Sequence, residues 1–157
     1  MAAQAKTRHI SDDELYIERV FDAPVALVFR IWSEREHLFR WWGPEGFKCI
    51  GMDLDFRPGG KWRVGMVSDQ YGEGWSSGEY REIVPNKRLV FTFAWEQGSN
   101  DDLQETLITL TFAERDGKTL QTFHQTPFSS VESRDSHHGG WQSMFNEEQT
   151  YLAEQAG

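Results

Sequence analysis

Glu148 is the residue in this chain whose type and position point most directly to chemistry. On a helix it lies seven residues after Trp141 and four before Leu152, within the stripe those residues define. A carboxylate in such a stripe is costly unless it is paired, solvated within a cavity, or protonated. Facing inward, it would recognise a polar ligand group or act as a general acid or base. The alternative is a slightly rotated helix that leaves Glu148 at the stripe's edge, beside solvent-facing Glu147. His124 is the second acid–base candidate, near the end of a strand with Phe128 just beyond. His137 and His138 are adjacent, so on a helix they point about 100° apart and share a metal poorly. No H-E-x-x-H or facial triad accompanies them, so no metal or other cofactor is expected. Gly74-Trp75-Ser76-Ser77-Gly78 matches G-x-S-x-G, but a nucleophile elbow needs a helix after the serine and strand-like residues follow here. Cys49 is the single cysteine, which excludes an internal disulfide and a cysteine-based zinc site.

The elements that must position these groups follow from periodicity. Leu15 to Phe21 is rich in strand formers and reads as a first strand. Asp22-Ala23-Pro24 then starts a helix, with Asp22 as cap and Val25, Val28, Phe29 and Trp32 as its apolar stripe. Ser33 with Glu36 forms a capping box for a second short helix that ends before Trp41-Trp42-Gly43-Pro44. From Phe47 the period becomes two: Ile50, Met52, Leu54 and Phe56 share an apolar face. Trp62, Val64 and Met66 resume it after a turn. A three-residue loop, Pro58 to Gly60, sets Phe56 opposite Trp62, Leu54 opposite Val64 and Asp55 opposite Arg63. Gly78 to Val84 and Leu89 to Trp95 form a hairpin around Pro85-Asn86-Lys87, with Leu89, Phe91, Phe93 and Trp95 on one face. Gln97 to Asp102 is a polar loop. Thr106 to Phe112 and Thr119 to Gln125 close the sheet around Arg115-Asp116-Gly117-Lys118. The last element is one long amphipathic helix, roughly Val131 to Glu154, with Trp141, Met144, Phe145, Tyr151 and Leu152 near one face.

Composition sets the remaining bounds. At 157 residues the chain makes one domain, 15–155, after a tail, 1–14. Its 7 Trp, 11 Phe and 4 Tyr are many for this length and suit either a bulky core or the walls of a ligand pocket. A net charge of −9 argues against nucleic acid and against an anionic membrane surface. Met1 to Ile10 has no apolar stretch, so it does not read as a signal peptide, and no run approaches membrane length. A cytoplasmic protein is expected.

Phe21-Asp22-Ala23-Pro24, Trp41-Trp42-Gly43-Pro44, Arg57-Pro58-Gly59-Gly60-Lys61-Trp62, Gly78-Glu79-Tyr80 with Ile83-Val84-Pro85, and His137-x-x-Gly140-Trp141 occur in order. As a set they resemble the START/Bet v 1-like superfamily (SRPBCC), in the branch similar to the activator of the heat-shock protein 90 ATPase, from about Leu15 to Leu152. The resemblance implies an α+β helix-grip fold: a curved antiparallel sheet of about six or seven strands around a long C-terminal helix, with two short helices after the first strand. It also implies a hydrophobic cavity between sheet and helix. The sequence departs from the pattern at Glu148, where relatives usually carry Leu.

The expected function is binding of a small hydrophobic or aromatic ligand in that cavity. Trp62, Met66, Phe91, Phe93, Trp95, Trp141 and Phe145 are its expected apolar walls, and Tyr80, His124 and Glu148 its polar contacts. A cyclase- or hydrolase-like enzyme using Glu148 or His124, and a chaperone-activating partner module, are the alternatives. Whether the chain forms a homodimer stays open.

Overall fold

A computed structural model describes residues 6–8 and 11–156. Eight strands form one antiparallel sheet: β1 (Lys6–Arg8), β2 (Leu15–Phe21), β3 (Lys48–Leu54), β4 (Lys61–Ser68), β5 (Gly72–Val84), β6 (Arg88–Trp95), β7 (Thr106–Arg115) and β8 (Lys118–Thr126). Their order across the sheet is β1-β2-β8-β7-β6-β5-β4-β3. Helices α1 (Val25–Ser33) and α2 (Arg35–Trp41) carry the chain from β2 near one margin to β3 at the other; α3 (Asn100–Leu103) lies between β6 and β7. The 26-residue α4 (Val131–Ala156) packs along the curved sheet. This is the expected helix-grip arrangement, with one strand more than expected. The extra strand is β1, which pairs with β2 through Thr7 opposite Ile17 and lies within the segment read as a tail.

Alternation places the core. The pattern on β2 alternates strictly, burying Leu15, Ile17, Arg19 and Phe21. On β8 the inward set is Thr119, Gln121, Phe123 and Gln125. The β7–β8 turn falls where expected and is a two-residue hairpin, with Arg115 opposite Lys118 and both Asp116 (φ 53°) and Gly117 (φ 80°) left-handed.

Three local expectations are corrected. Neither short helix has a side-chain cap: Pro24 occupies the N-cap of α1 in place of Asp22, and Glu34 that of α2 in place of Ser33. Ser33 instead ends α1, with its hydroxyl turned back onto the Arg30 carbonyl at 3.3 Å. In β3 a bulge between Cys49 and Gly51 reverses the parity, so Ile50 faces outward at 39% exposure and Cys49 is buried.

The β3–β4 register is also displaced by two residues: Leu54 pairs with Trp62, Met52 with Val64 and Asp53 with Arg63. The loop is longer than predicted because it is hydrogen-bonded to β5. Gly59 N–H donates to the Tyr80 carbonyl at 2.7 Å, and Tyr80 N–H returns a bond to Gly60 at 2.8 Å. At Gly60 a β-carbon would stand 1.9 Å from the Asp55 carbonyl oxygen, so the tight fold of this loop requires glycine there. Asp55 accordingly binds Arg57 at 2.9 Å, whereas Arg63 meets Glu96 through two donors, the shorter contacts being 2.8 Å.

The serine motif lies wholly inside β5. Ser76 is paired with Trp95 on one side and Val64 on the other, which leaves no strand-to-helix turn for an elbow.

Candidate functional site: an aromatic cleft beside a buried carboxylate

Residues Trp141, Met144, Phe145, Tyr151 and Leu152 are all buried, so α4 presents the expected face. Trp141 is the anchor of its first half. Its ring lies 4.6 Å from that of Phe123, and its indole N–H donates to Gln125 Oε1 at 2.8 Å. Gln125, itself fully buried, donates from Nε2 to Thr106 Oγ1 at 2.8 Å, and Thr106 donates onward to the Phe93 carbonyl at 3.0 Å. Each polar atom along this chain has a partner, as burial demands.

Glu148 faces inward and is completely buried. Its Oε2 accepts the Trp32 indole N–H at 3.0 Å, and its Oε1 accepts Gln121 Nε2 at 3.1 Å. The Trp32 N–H is shared with Gln121 Oε1 at 3.1 Å, closing a three-residue ring between α1, β8 and α4. Burial pushes the Glu148 carboxyl up to about 8, against the opposing pull of its two donors and the charge of Arg19. Arg19 is buried as well, with Nη1 on Asn146 Oδ1 and Nη2 on Gln142 Oε1, both at 2.9 Å. Desolvation draws its pKa down. Around this ring Trp32, Phe145 and Phe123 pack edge to face, with centroids 5.4 to 6.4 Å apart.

Space opens elsewhere. A cleft of about 620 Å³ lies between the first half of α4, the β4–β5 hairpin and the loop after Trp42. Its apolar lining is Trp42, Phe47, Met66, Tyr71, Phe93, Trp95, Trp141 and Met144. Gly139 and Gly140 leave bare helix backbone on its floor: a β-carbon at either would meet nothing within 4 Å. Phe47 and Tyr71 stack across from different loops at 6.0 Å and 3°. On the α4 wall, His137 accepts the Trp95 indole N–H on Nε2 at 3.0 Å. Its Nδ1 therefore carries the proton and donates to the Ser133 carbonyl at 2.8 Å.

The expected site residues divide into four groups. Met66, Phe93, Trp95 and Trp141 line the cleft. Trp62, Tyr80 and Phe91 border a separate gap of about 10 Å³, room for no more than one water. Phe145 and Glu148 belong to the packed core, so the hollow expected beneath the whole helix is filled along its second half. His124 is the correction: alternation along β8 turns it away from α4, and it pairs with Glu14 at 3.0 Å on the other face. Neither acid–base candidate touches the cleft. Sequence reasoning missed Trp42, Phe47, Tyr71 and the open glycine pair, whose signal was aromatic residues within turns. Among the described residues no group of histidine, cysteine and carboxylate side chains is placed to hold a metal.

Comparison with known proteins accords with this architecture. The family model described as Activator of Hsp90 ATPase homolog 1-like protein matches residues 22–153. An AHSA1 protein from Silicibacter pomeroyi is 28% identical, with a TM-score of 0.78 over 90% of this chain and 99% of that one. A protein from Rhizobium leguminosarum is 25% identical, at 0.75 over 98% and 99%. One from Arthrobacter aurescens, 23% identical, shares the fold at 0.82 over 96% and 91%. A search of curated proteins found no match.

Proposed function

The chain belongs to the Activator of Hsp90 ATPase homolog 1-like family, and on that premise we propose that it binds a small, largely apolar ligand in the cleft between α4 and the β4–β5 hairpin. The observation that carries this reading is the cleft's lining. Six aromatic residues surround a volume within the range of about 300–1,000 Å³ typical of ligand sites. Glycine at 139 and 140 keeps α4 from filling that space, although glycine in a helix interior costs roughly 0.8–1.0 kcal/mol each relative to alanine. Burial of ligand surface at about 25 cal/mol per Å² supplies the driving force, less the cost of ordering.

A thermal-shift screen across lipids, flavonoids and aromatic polyketides tests the reading. A binder raises the melting temperature of the native protein, and Phe93→Ala or Trp95→Ala removes the increase. If no compound of any of these classes shifts the transition, the reading fails.

A further inference from the structure

The charges around the cleft are of one sign. Glu45 and Asp102 line it, and among the described residues no lysine or arginine does; Glu73 borders it through the strand but turns its carboxylate to the outer face. Asp102 accepts the Ser99 amide at 3.0 Å and its hydroxyl at 3.1 Å. Neutral donors such as these do not offset its charge. Both ring nitrogens of His137 are engaged within the protein, with Trp95 and with the Ser133 carbonyl. The remaining polar lining, Gln97, Ser136 and Ser143, is neutral.

A concave site with carboxylates at its margin and low-dielectric aromatic walls concentrates cations, and indole faces attract them further. The chain's net charge of −9 adds to the same field at long range. Resting on the reading of this cleft as a ligand site, we infer that its ligand class is an aromatic or alkyl amine bearing a positive charge, with the apolar body against the tryptophans and the ammonium toward Glu45 and Asp102. A carboxylate or phosphate-bearing lipid would face two like charges and find no counter-ion among the described lining residues.

Three probes with one skeleton test the inference: 2-naphthylmethylammonium, 2-naphthylmethanol and 2-naphthoate, titrated calorimetrically into the native protein. The expected order is ammonium, then alcohol, then carboxylate, with the ammonium roughly tenfold tighter than the alcohol. That ratio shrinks as salt is raised, because the marginal charges are screened. Glu45→Gln, at an exposed loop position where folding is readily verified by circular dichroism, lowers it by about half or more. Equal affinities for ammonium and alcohol, or tighter binding of the carboxylate, overturn the charge inference and leave the cleft reading standing. Failure of all three to bind at any salt concentration overturns both.

Discussion

Glu148 and Trp32 are 116 residues apart in sequence, yet the carboxylate of one accepts the indole N–H of the other at 3.0 Å in the centre of the core. Their contact joins α1 to α4 directly, with Gln121 of β8 completing the ring. It explains how a carboxylate is tolerated at full burial: its oxygens are met by donors, and its pKa moves so that the neutral form is accessible.

That shift makes stability depend on pH. The folded-state value of about 8 exceeds the ordinary value of 4.5, so the folded protein binds more protons than the unfolded chain between them. Stability is therefore fully present below pH 4.5 and falls as pH rises through 8. At about 1.4 kcal/mol per pKa unit, the loss amounts to a few kcal/mol. Glu148→Gln abolishes this slope, so its advantage over the native protein widens with pH across the window. Urea denaturation of both proteins at each end checks it; a constant difference would refute the assignment.

Trp141→Phe keeps the ring in place but removes the donor to Gln125. Leaving the buried Gln125 oxygen unpaired costs about 1–3 kcal/mol, and adding Gln125→Leu recovers part of the loss. Denaturation midpoints of the single and double variants measure this directly. Strictly additive losses would show that the bond contributes nothing.

Gly140→Ala raises stability by about 0.5–1 kcal/mol, because helix propensity improves and no atom obstructs the new methyl group. Gly140→Leu retains the gain in propensity but fills the cleft, so thermal shifts by ligands disappear while the fold persists. Undiminished ligand shifts in the leucine variant would place binding elsewhere.

On the outer face, Trp75 lies flat on the glycines of β3 and β4, with the Arg63 guanidinium 4.1 Å above its ring. A β-carbon at Gly65 would stand 2.5 Å from that indole. Gly65→Ala therefore destabilises by about 1–3 kcal/mol through overpacking. Trp75→Ala in the same molecule makes the Gly65 change nearly neutral, a coupling that a double-mutant cycle reads. Equal penalties in both backgrounds would rule out the ring as the cause.

Legibility in the sequence tracks the range of the interactions involved. The stripe of α4 and the β7–β8 turn are set by neighbours a few residues apart, and both occur where periodicity places them. The β3–β4 register depends on Tyr80, which binds the Arg57–Gly60 loop from another strand, so matching two local patterns misplaces it. Ile50 looks apolar and inward until one unpaired residue reverses the face. The Glu148 rotation was undecidable within α4 because its hydrogen-bond donors come from α1 and β8. The cleft is illegible for a related reason. Half its aromatic wall comes from turns, where no periodicity announces which way a ring points, whereas the outward face of His124 follows from parity along β8.

The irregularity at Ile50 reaches beyond pairing within the chain. Strand β3 is the outermost on its side, and a straight margin there would be a template on which a second molecule could add strand upon strand. A kink in mid-strand interrupts the even row of amides and carbonyls, and Lys48 and Asp53 place charges along the same rim. An irregular, charged margin of this kind is the arrangement that disfavours strand addition by a second molecule.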